Sequence, residues 1–240
     1  FVQNPYPFYE TCLAKGGKVF WEDYKMVSLF KYNDVSNILK DRRFGRECPE
    51  DKKQDHRREL APFYELEDHS MLQLEPPKHT RLRGLVLRAF TSRKVNSMAA
   101  EIETLCAQLM QNFSSNQVNI LNEYANKIPV IIIARLLGVP EEMSDQLLRW
   151  SIDMVMMYKA RRTEEHEKRA IKASKEFSAF MRGYVDECRS KPKDDLITHL
   201  ISAEENGEKL TTDELITTCI LLLNAGHEAT VHSLGNGIKV

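Results

Sequence analysis

The sequence has no excess of charge of either sign and no long apolar run. Its 240 residues include 34 basic and 35 acidic side chains, which give a formal net charge of −1 at pH 7. This balance excludes a disordered polyelectrolyte and a general coat for nucleic acid. No stretch reaches the ~18 uninterrupted apolar residues of a membrane helix, because polar residues interrupt the two best candidates at Arg135 and at Asn224. A membrane span is not predicted.

Cysteine is sparse and shows no paired spacing. The five cysteines lie at positions 12, 48, 106, 188 and 219, so there is no C-x-x-C pair that could bind a metal or act in redox chemistry. An odd number of distant cysteines predicts reduced thiols in a cytoplasmic protein. The chain begins at Phe1 and ends at Val240 inside a helical pattern, and we expect both ends to be cut from a longer protein.

Helical periodicity dominates the chain after an early β ribbon. Apolar runs at 19–21 and 26–30 flank a polar turn, which predicts two paired strands. The charged segment 41–69 has few aliphatic residues and predicts a long mobile loop, which is often functional at this length. Apolar residues at i, i+3 and i+4 then predict helices over 95–113, 120–137, 141–159 and 164–189. A capping box at Thr211 and Glu214 begins a last helix that runs through residue 240.

A helix without local acids follows the double proline at 76–77. Between residues 76 and 100 there are six Lys or Arg residues and one His but no Asp or Glu. At about 100° per residue, His79 and Arg83 lean toward the apolar side of this helix. The apolar side itself consists of Leu82, Leu85, Val86, Ala89 and Phe90.

His79 and Arg83 need an anionic partner, because an unpaired polar group leaning inward carries a desolvation cost. A distant Asp or Glu of the same chain is one candidate, and a bound carboxylate or phosphate is the other. Arg81 and Arg88 lie on the far shoulder of the helix, where water or a partner protein can reach them. The residues alone leave both candidates open.

The last helix carries small and polar residues directly after an apolar turn. Residues 219–223 are apolar on every face, which predicts complete burial. In the next turn Ala225, Gly226 and Thr230 form narrow grooves with Glu228 beside them. A mid-helix glycine costs about 1 kcal/mol relative to Ala, which indicates that something bulky or flat approaches the backbone. The alternative is a closely packed neighbouring helix, with Glu228 paired to a buried Arg.

A zinc-hydrolase motif is excluded in the same helix. His227-Glu228 resembles the start of H-E-x-x-H, but Val231 occupies the required second position and the next His is His232. A five-residue step turns the second imidazole by about 140° on a regular helix. Zinc chemistry is therefore not predicted.

Three motifs, in this order, resemble soluble bacterial cytochrome P450 enzymes. They are H-T-R-L-R at 79–83, I-P-V-I-I-I-A-R-L-L-G-V-P at 128–140 and L-L-L-N-A-G-H-E-A-T at 221–230. The resemblance covers essentially the whole chain and implies the N-terminal part of a single P450 domain, with its C-terminal part missing. The implied fold is mainly α with a small N-terminal β ribbon. Its parts are a helix and ribbon region (1–45), a substrate-side loop (46–74), a helical bundle (75–205) and a long central helix (211–240).

The resemblance also implies haem as cofactor and roles for individual residues. His79 and Arg83 would hold the haem propionates, and Ala225 and Gly226 would make room for dioxygen. Glu228 and Thr230 would be the catalytic residues that deliver protons. The residues that would contact substrate are Met71, Leu72, Leu222 and Ala229.

The implied activity is hydroxylation of a small apolar substrate by a haem-thiolate monooxygenase. An acidic, ferredoxin-type electron donor is the implied partner, received at Arg81 and Arg88, and neither nucleic acid nor a membrane is expected. We therefore expect a cytoplasmic oxidoreductase.

Two departures from the family pattern leave alternatives open. The family usually places Thr directly after the acid, where this chain has Ala229 and then Thr230. The thiolate loop F-x-x-G-x-x-x-C-x-G and the E-x-x-R pair do not occur, so no metal ligand is expected in this chain. One alternative is a truncated, inactive member that acts as an interaction module. The other is a haem-independent helical domain in which His79 and Arg83 hold a phosphate or a structural carboxylate.

Overall fold

The computed structural model describes residues 3–53, 55–114, 117–204 and 207–239. The chain divides into two compact units, Phe1–Cys48 and Pro49–Val240. The first unit contains α1 (Tyr6–Ala14), strands β1 (Lys18–Trp21) and β2 (Met26–Leu29), and α2 (Tyr32–Lys40). The strands pair antiparallel, with Lys18 opposite Leu29 and Trp21 opposite Met26. The predicted ribbon is confirmed.

Aromatic side chains hold the first unit together. The ring of Phe8 on α1 lies 5.7 Å from Trp21 and 5.9 Å from Phe30 between ring centroids. Gly16 and Gly17 reverse the chain between α1 and β1 with φ of 95° and 77°, a backbone region that side chains with a Cβ seldom adopt. The ribbon therefore packs back on the first helix.

The second unit is helical throughout its described length. In chain order its α-helices are α3 (Ala61–Glu67), α4 (Lys78–Ala89), α5 (Ser92–Ser97), α6 (Ala99–Gln111), α7 (Lys127–Leu137), α8 (Ser144–Val155), α9 (Glu164–Ser190), α10 (Leu196–Ser202) and α11 (Thr212–Lys239). Short 3-10 turns lie at Glu50–Lys52, Arg58–Leu60, Glu141–Met143 and Met156–Tyr158, and a π turn lies at Leu121–Ala125. Each helical range predicted from periodicity contains α-helix.

The segment 41–69 differs from the predicted loop, because α3 occupies its last third. Pro62 lies in the first turn of α3, where its missing N–H group costs nothing. Phe63 is only 2% exposed and packs into the core. The helix was not predicted from composition, because charged residues outnumber apolar ones in the segment as a whole.

Helix termini follow the predicted signals. The Thr211 N–H donates to Glu214 Oε2 at 2.9 Å, and the Glu214 N–H donates to Thr211 Oγ1 at 3.2 Å, so the capping box is confirmed. Gly138 ends α7 in the left-handed conformation with φ of 83°. A side chain there would also collide with the Asp195 carboxylate.

The core of the second unit lies among α7, α8, α9 and α11. Phe177 is fully buried and stacks on Trp150 with 5.1 Å between ring centroids. The Trp150 indole N–H donates to Glu176 at 2.9 Å, which satisfies its polar atom. None of the described helices combines the length and the apolarity that crossing a membrane requires.

We expect Phe177→Ala to lower the free energy of unfolding by about 3–5 kcal/mol, because it removes a buried ring and leaves a cavity. Urea unfolding followed by circular dichroism measures the change. Lys175→Ala is the control, because Lys175 is exposed on the same helix and should change stability by less than about 0.5 kcal/mol. Equal unfolding midpoints for the two variants would contradict this packing.

Candidate functional site

A cavity of about 820 Å³ lies inside the second unit. Helices α4, α6, α7 and α11 and the turn after α3 form its walls, which are predominantly apolar. The lining residues that sequence analysis had predicted are Met71, Leu72, His79, Arg83, Leu222, Ala225, Gly226 and Thr230. These residues were predicted to have different roles. They lie up to 159 positions apart in the sequence, from 71 to 230, and they all line one cavity.

Helix α4 presents the His79 imidazole and the Arg83 guanidinium to this cavity. Leu82 and Leu85 are both 0% exposed and fix one face of the helix in the core. His79 and Arg83, one turn apart, consequently reach the cavity wall. In the part of the chain that the structure describes, neither side chain has a hydrogen-bond or ion-pair partner.

The distant acids considered for this helix exist, but they serve other residues. Arg81 pairs with Glu214, which is 9% exposed. Its guanidinium Nε also lies 3.5 Å from Glu208. Lys94 lies 3.9 Å from Asp194. Intrachain acids therefore neutralise the far shoulder of the basic segment and leave His79 and Arg83 for another anion.

The prediction that Arg81 is open to a partner protein is wrong. Its side chain is 29% exposed, and its Nη1 atom also donates to the Lys209 carbonyl oxygen at 3.4 Å. The acidic partner lies 133 residues away in sequence, so the local absence of acids gave no signal of it. Arg88 is exposed, as predicted.

Gly226 has a structural explanation in the neighbouring helix. A Cβ built on Gly226 would lie 2.7 Å from the Ile133 Cδ1 atom of α7, closer than side chains can approach. The close helix packing left open as an alternative is therefore present at this position. Gly226 still lines the cavity, and Thr230 Oγ1 donates to its carbonyl oxygen at 2.7 Å.

Glu228 and Ala229 are not among the residues that line the cavity. Glu228 is 56% exposed, and its Oε1 lies 3.7 Å from His232 Nε2. The suggested pairing of Glu228 with a buried Arg is absent among the described residues. Ala229 is also exposed. At about 100° per residue, Glu228 points well away from the face that carries Gly226 and Thr230.

His227 is the buried polar residue that sequence analysis left without a role. It is 5% exposed, and within the described ranges its Nε2 atom has no hydrogen-bond partner. Burial lowers the pKa of this imidazole, which outweighs the opposite effect of the Glu228 charge. The apolar run of residues 219–223 predicted that this region is buried. It did not predict that His227 lies on the buried face of the following helical turn.

The wall formed by α6 and the start of α7 contains none of the residues predicted for the site. The additional lining residues are Phe90, Ile102, Cys106, Tyr124, Ile128, Pro129, Ile132, Ile133, Leu136, Leu221 and Leu234. A hydrogen bond with Cys106 raises the pKa of the Tyr124 hydroxyl, and burial adds to the effect. The helical apolar spacing predicted these helices as core but carried no sign that their inner faces border a cavity.

The described residues contain no cluster of three or more His, Cys, Asp or Glu side chains placed to hold a metal ion. Cys106 lies in the cavity wall without such a group around it.

Comparison with known proteins gives consistent matches over the whole chain. A sequence model of one protein family, described as Cytochrome P450, matches residues 3–238. Polyketide biosynthesis cytochrome P450 PksS of Bacillus subtilis is 35% identical over 224 residues, which cover 92% of this chain and 54% of the relative. Vitamin D(3) 25-hydroxylase of Pseudonocardia autotrophica is 33% identical over 246 residues, covering 99% of this chain and 58% of the relative.

A solved structure shares the fold. P450BioI in complex with hexadec-9Z-enoic acid ligated acyl carrier protein superposes with a TM-score of 0.89 at 27% identity, covering 100% of this chain and 61% of that chain. The predicted mainly α fold with a small ribbon is confirmed. The chain spans a little over half the length of the curated relatives it matches.

Arg81 is expected to stabilise the fold rather than to serve a partner. Arg81→Gln leaves the buried Glu214 carboxylate without its cation and should lower the free energy of unfolding by about 2 kcal/mol or more. Lys78→Gln, at an exposed position of the same helix, should change it by less than about 0.5 kcal/mol. Chemical unfolding measures both, and equal small effects would show that the Arg81–Glu214 pair carries no stability.

His227 is expected to make the fold sensitive to acid. Because its folded pKa lies below the unfolded value of about 6.5, it stabilises the fold above that pH, and this stability is lost as the pH falls through the folded pKa. His227→Leu should therefore lose less stability than the unmodified chain between about pH 7.5 and about pH 5.5. His232→Leu, at a side chain that is 69% exposed, is the control, and identical pH profiles for all three proteins would refute the assignment.

Proposed function

Because this chain belongs to the cytochrome P450 family, whose members use haem iron with cysteine thiolate ligation, we propose that it is the oxygen-side part of a haem-thiolate monooxygenase. The proposed reaction is hydroxylation of a small apolar organic substrate with one atom of dioxygen. One observation supports this more than any other: an unpaired His–Arg pair borders a large apolar cavity in the described chain.

The residues present fit a haem. A porphyrin carries two propionates on an otherwise apolar macrocycle, and the cavity offers cations at His79 and Arg83 beside walls of aliphatic side chains. Both cationic side chains can donate charge-assisted hydrogen bonds to carboxylates. His79 is half-buried and Arg83 is exposed, and neither has a partner among the described residues, so a bound dicarboxylate would supply one for each.

Bound haem would supply dioxygen activation, and the thiolate that tunes it would come from sequence beyond these 240 residues. This chain's own residues bind and orient the reactants. Met71, Leu72 and Leu222 line the cavity, where they would exclude water and hold an apolar substrate. Ala225 and Gly226 have small side chains or none, so that small molecules can approach the α11 backbone from the cavity.

Proton delivery is assigned to Thr230 and Glu228 with different tasks. The Thr230 hydroxyl lies in the cavity wall and donates to the Gly226 carbonyl oxygen, so it can hold a proton beside the reactants. Glu228 is exposed to solvent and can collect protons there. Ala229 cannot supply a hydroxyl, so the transfer between the two residues depends on water or on a polar group of the substrate. A contact between Ala229 and substrate stays a prediction.

The partner and location proposals rest on fewer observations. A ferredoxin-type electron donor is proposed to contact the exposed Arg88. Arg81 pairs with Glu214 within the chain. All five cysteines are free thiols, which supports a cytoplasmic location.

Hemin titration tests the proposed site. Arg83→Gln should weaken hemin binding by roughly tenfold or more, because it removes a charge-assisted hydrogen bond to a propionate. His79→Gln should act in the same direction. Lys78→Gln is the matched control, since Lys78 is exposed beside His79 on the same helix and does not line the cavity. Absorbance of the Soret band during titration gives the affinities.

The competing functions predict different outcomes. A haem-independent domain that holds phosphate at His79 and Arg83 would bind inorganic phosphate but take up no stoichiometric hemin. A truncated, inactive member would bind hemin weakly and show no red-shifted Soret band in the reduced, carbon-monoxide-bound state. Equal hemin affinity for Arg83→Gln and Lys78→Gln would refute the assignment of the propionate site.

A further inference from the structure

The turn after α3 forms one wall of the cavity without regular secondary structure. Met71 and Leu72 line the cavity from this turn, which lies between the end of α3 and the start of α4. Backbone hydrogen bonds inside the turn are local, such as the Gln73 N–H to the Ser70 carbonyl oxygen at 2.9 Å. Its position relative to α11 must therefore come from side chains.

Glu67, the last residue of α3, forms hydrogen bonds both to the far end of the turn and to the 3-10 turn after α8. Its Oε2 atom accepts a hydrogen bond from the Gln73 side-chain amide at 2.9 Å, beyond the turn. Its Oε1 atom accepts one from the Tyr158 hydroxyl at 2.9 Å, in the 3-10 turn after α8. One carboxylate thus closes the turn on itself and ties it to the rest of the unit.

A second attachment comes from α11. The Thr217 hydroxyl lies 3.1 Å from the His69 carbonyl oxygen, at the start of the turn. The same hydroxyl also lies within hydrogen-bond distance of carbonyl oxygens of its own helix. Ser70, the next residue of the turn, is 5% exposed, and its hydroxyl accepts from the Leu72 N–H at 3.3 Å. The turn is therefore seated against the helix that forms the opposite side of the cavity.

The interface between the turn and α11 is partly polar rather than tightly packed and apolar. A small second cavity of about 10 Å³ lies there, with Glu67, Ser70, Thr217 and Asn224 in its wall. Leu221 separates it from the large cavity, because it lines both. Directional hydrogen bonds thus add to the apolar packing of Met71 on the core in setting the distance between the turn and the helix.

We propose that Glu67 and Thr217 are positioning residues that hold Met71 and Leu72 in place and so determine the size of ligand that the cavity accepts. The part of this proposal that concerns ligand size rests on the proposed haem site. The part that concerns the turn stands on the hydrogen bonds alone. Neither residue touches the reactants in this scheme.

Amide hydrogen exchange on the protein without haem tests the hold on the turn. In the double variant Glu67→Ala/Thr217→Val, exchange at residues 69–73 should become about tenfold faster or more, because two hydrogen bonds to the turn are lost. Exchange in the buried part of α11 should stay unchanged. Glu65→Ala/Thr218→Val is the matched control: Glu65 is exposed on α3, and Thr218 Oγ1 donates only to its own helix, at 2.7 Å to the Glu214 carbonyl oxygen.

Ligand binding to the haem-loaded protein tests the consequence. Imidazole and 4-phenylimidazole carry the same iron ligand, but only the second has a ring that must fit against the cavity wall. The double variant should lower the preference for 4-phenylimidazole over imidazole by about tenfold while leaving the affinity for imidazole unchanged. The control double variant should keep the original preference.

The outcomes separate the two levels of the proposal. Unchanged exchange at 69–73 in the double variant would overturn the positioning role directly. Faster exchange with an unchanged preference between the two imidazoles would overturn the role in ligand size. A protein that binds no hemin would refute the proposed function, whereas the exchange result would still decide whether Glu67 and Thr217 hold the turn.

Discussion

One buried carboxylate joins the two helices on which the cavity depends. Glu214 accepts from the backbone at the start of α11 and pairs with Arg81 in the first turn of α4. It therefore caps one helix and fixes the other with the same group. Arg81 lies between His79 and Arg83, which line the cavity, while α11 supplies Ala225 and Gly226 opposite. A buried carboxylate without its cation is costly, so the pair constrains how far the two walls can move apart.

The same pairing explains how one helix can be both a structural and a binding element. The basic segment has no acid of its own, yet its far shoulder is neutralised by acids from distant parts of the chain, at Arg81 and at Lys94. The two residues of α4 that face the cavity, His79 and Arg83, have no partner among the described residues. This division of charge follows from the helix period, since positions 79 and 83 lie one turn apart and position 81 lies on the other side. The unpaired face is what makes an anionic ligand the natural complement.

Periodicity and caps predicted most of the fold, because both are local. The Thr211–Glu214 box, the β ribbon and the long α11 all depend on residues within a few positions of one another. The candidate site depended on pairs that are far apart. Glu214 as the partner of Arg81 and Ile133 as the neighbour of Gly226 left no local signal. The glycine was correctly expected to admit a close approach, but the residue that fills the space is a side chain of α7. Charge density likewise concealed α3, whose few apolar residues are sufficient for a short helix.

The cavity therefore has two kinds of wall, and they differ in what they can tolerate. The wall formed by α7 and α11 interlocks through close contacts such as the one between Ile133 and Gly226, and a larger side chain at position 226 requires the Ile133 side chain to move. The wall formed by Met71 and Leu72 is held by a few hydrogen bonds and borders the small second cavity. We expect substitutions at Leu72 in that turn to change the shape of the cavity, whereas Met71 also packs against the main core. Such a fold can keep the proposed cofactor site fixed while the shape of the ligand cavity beside it changes. The position of the site and the shape of the cavity depend on different interactions.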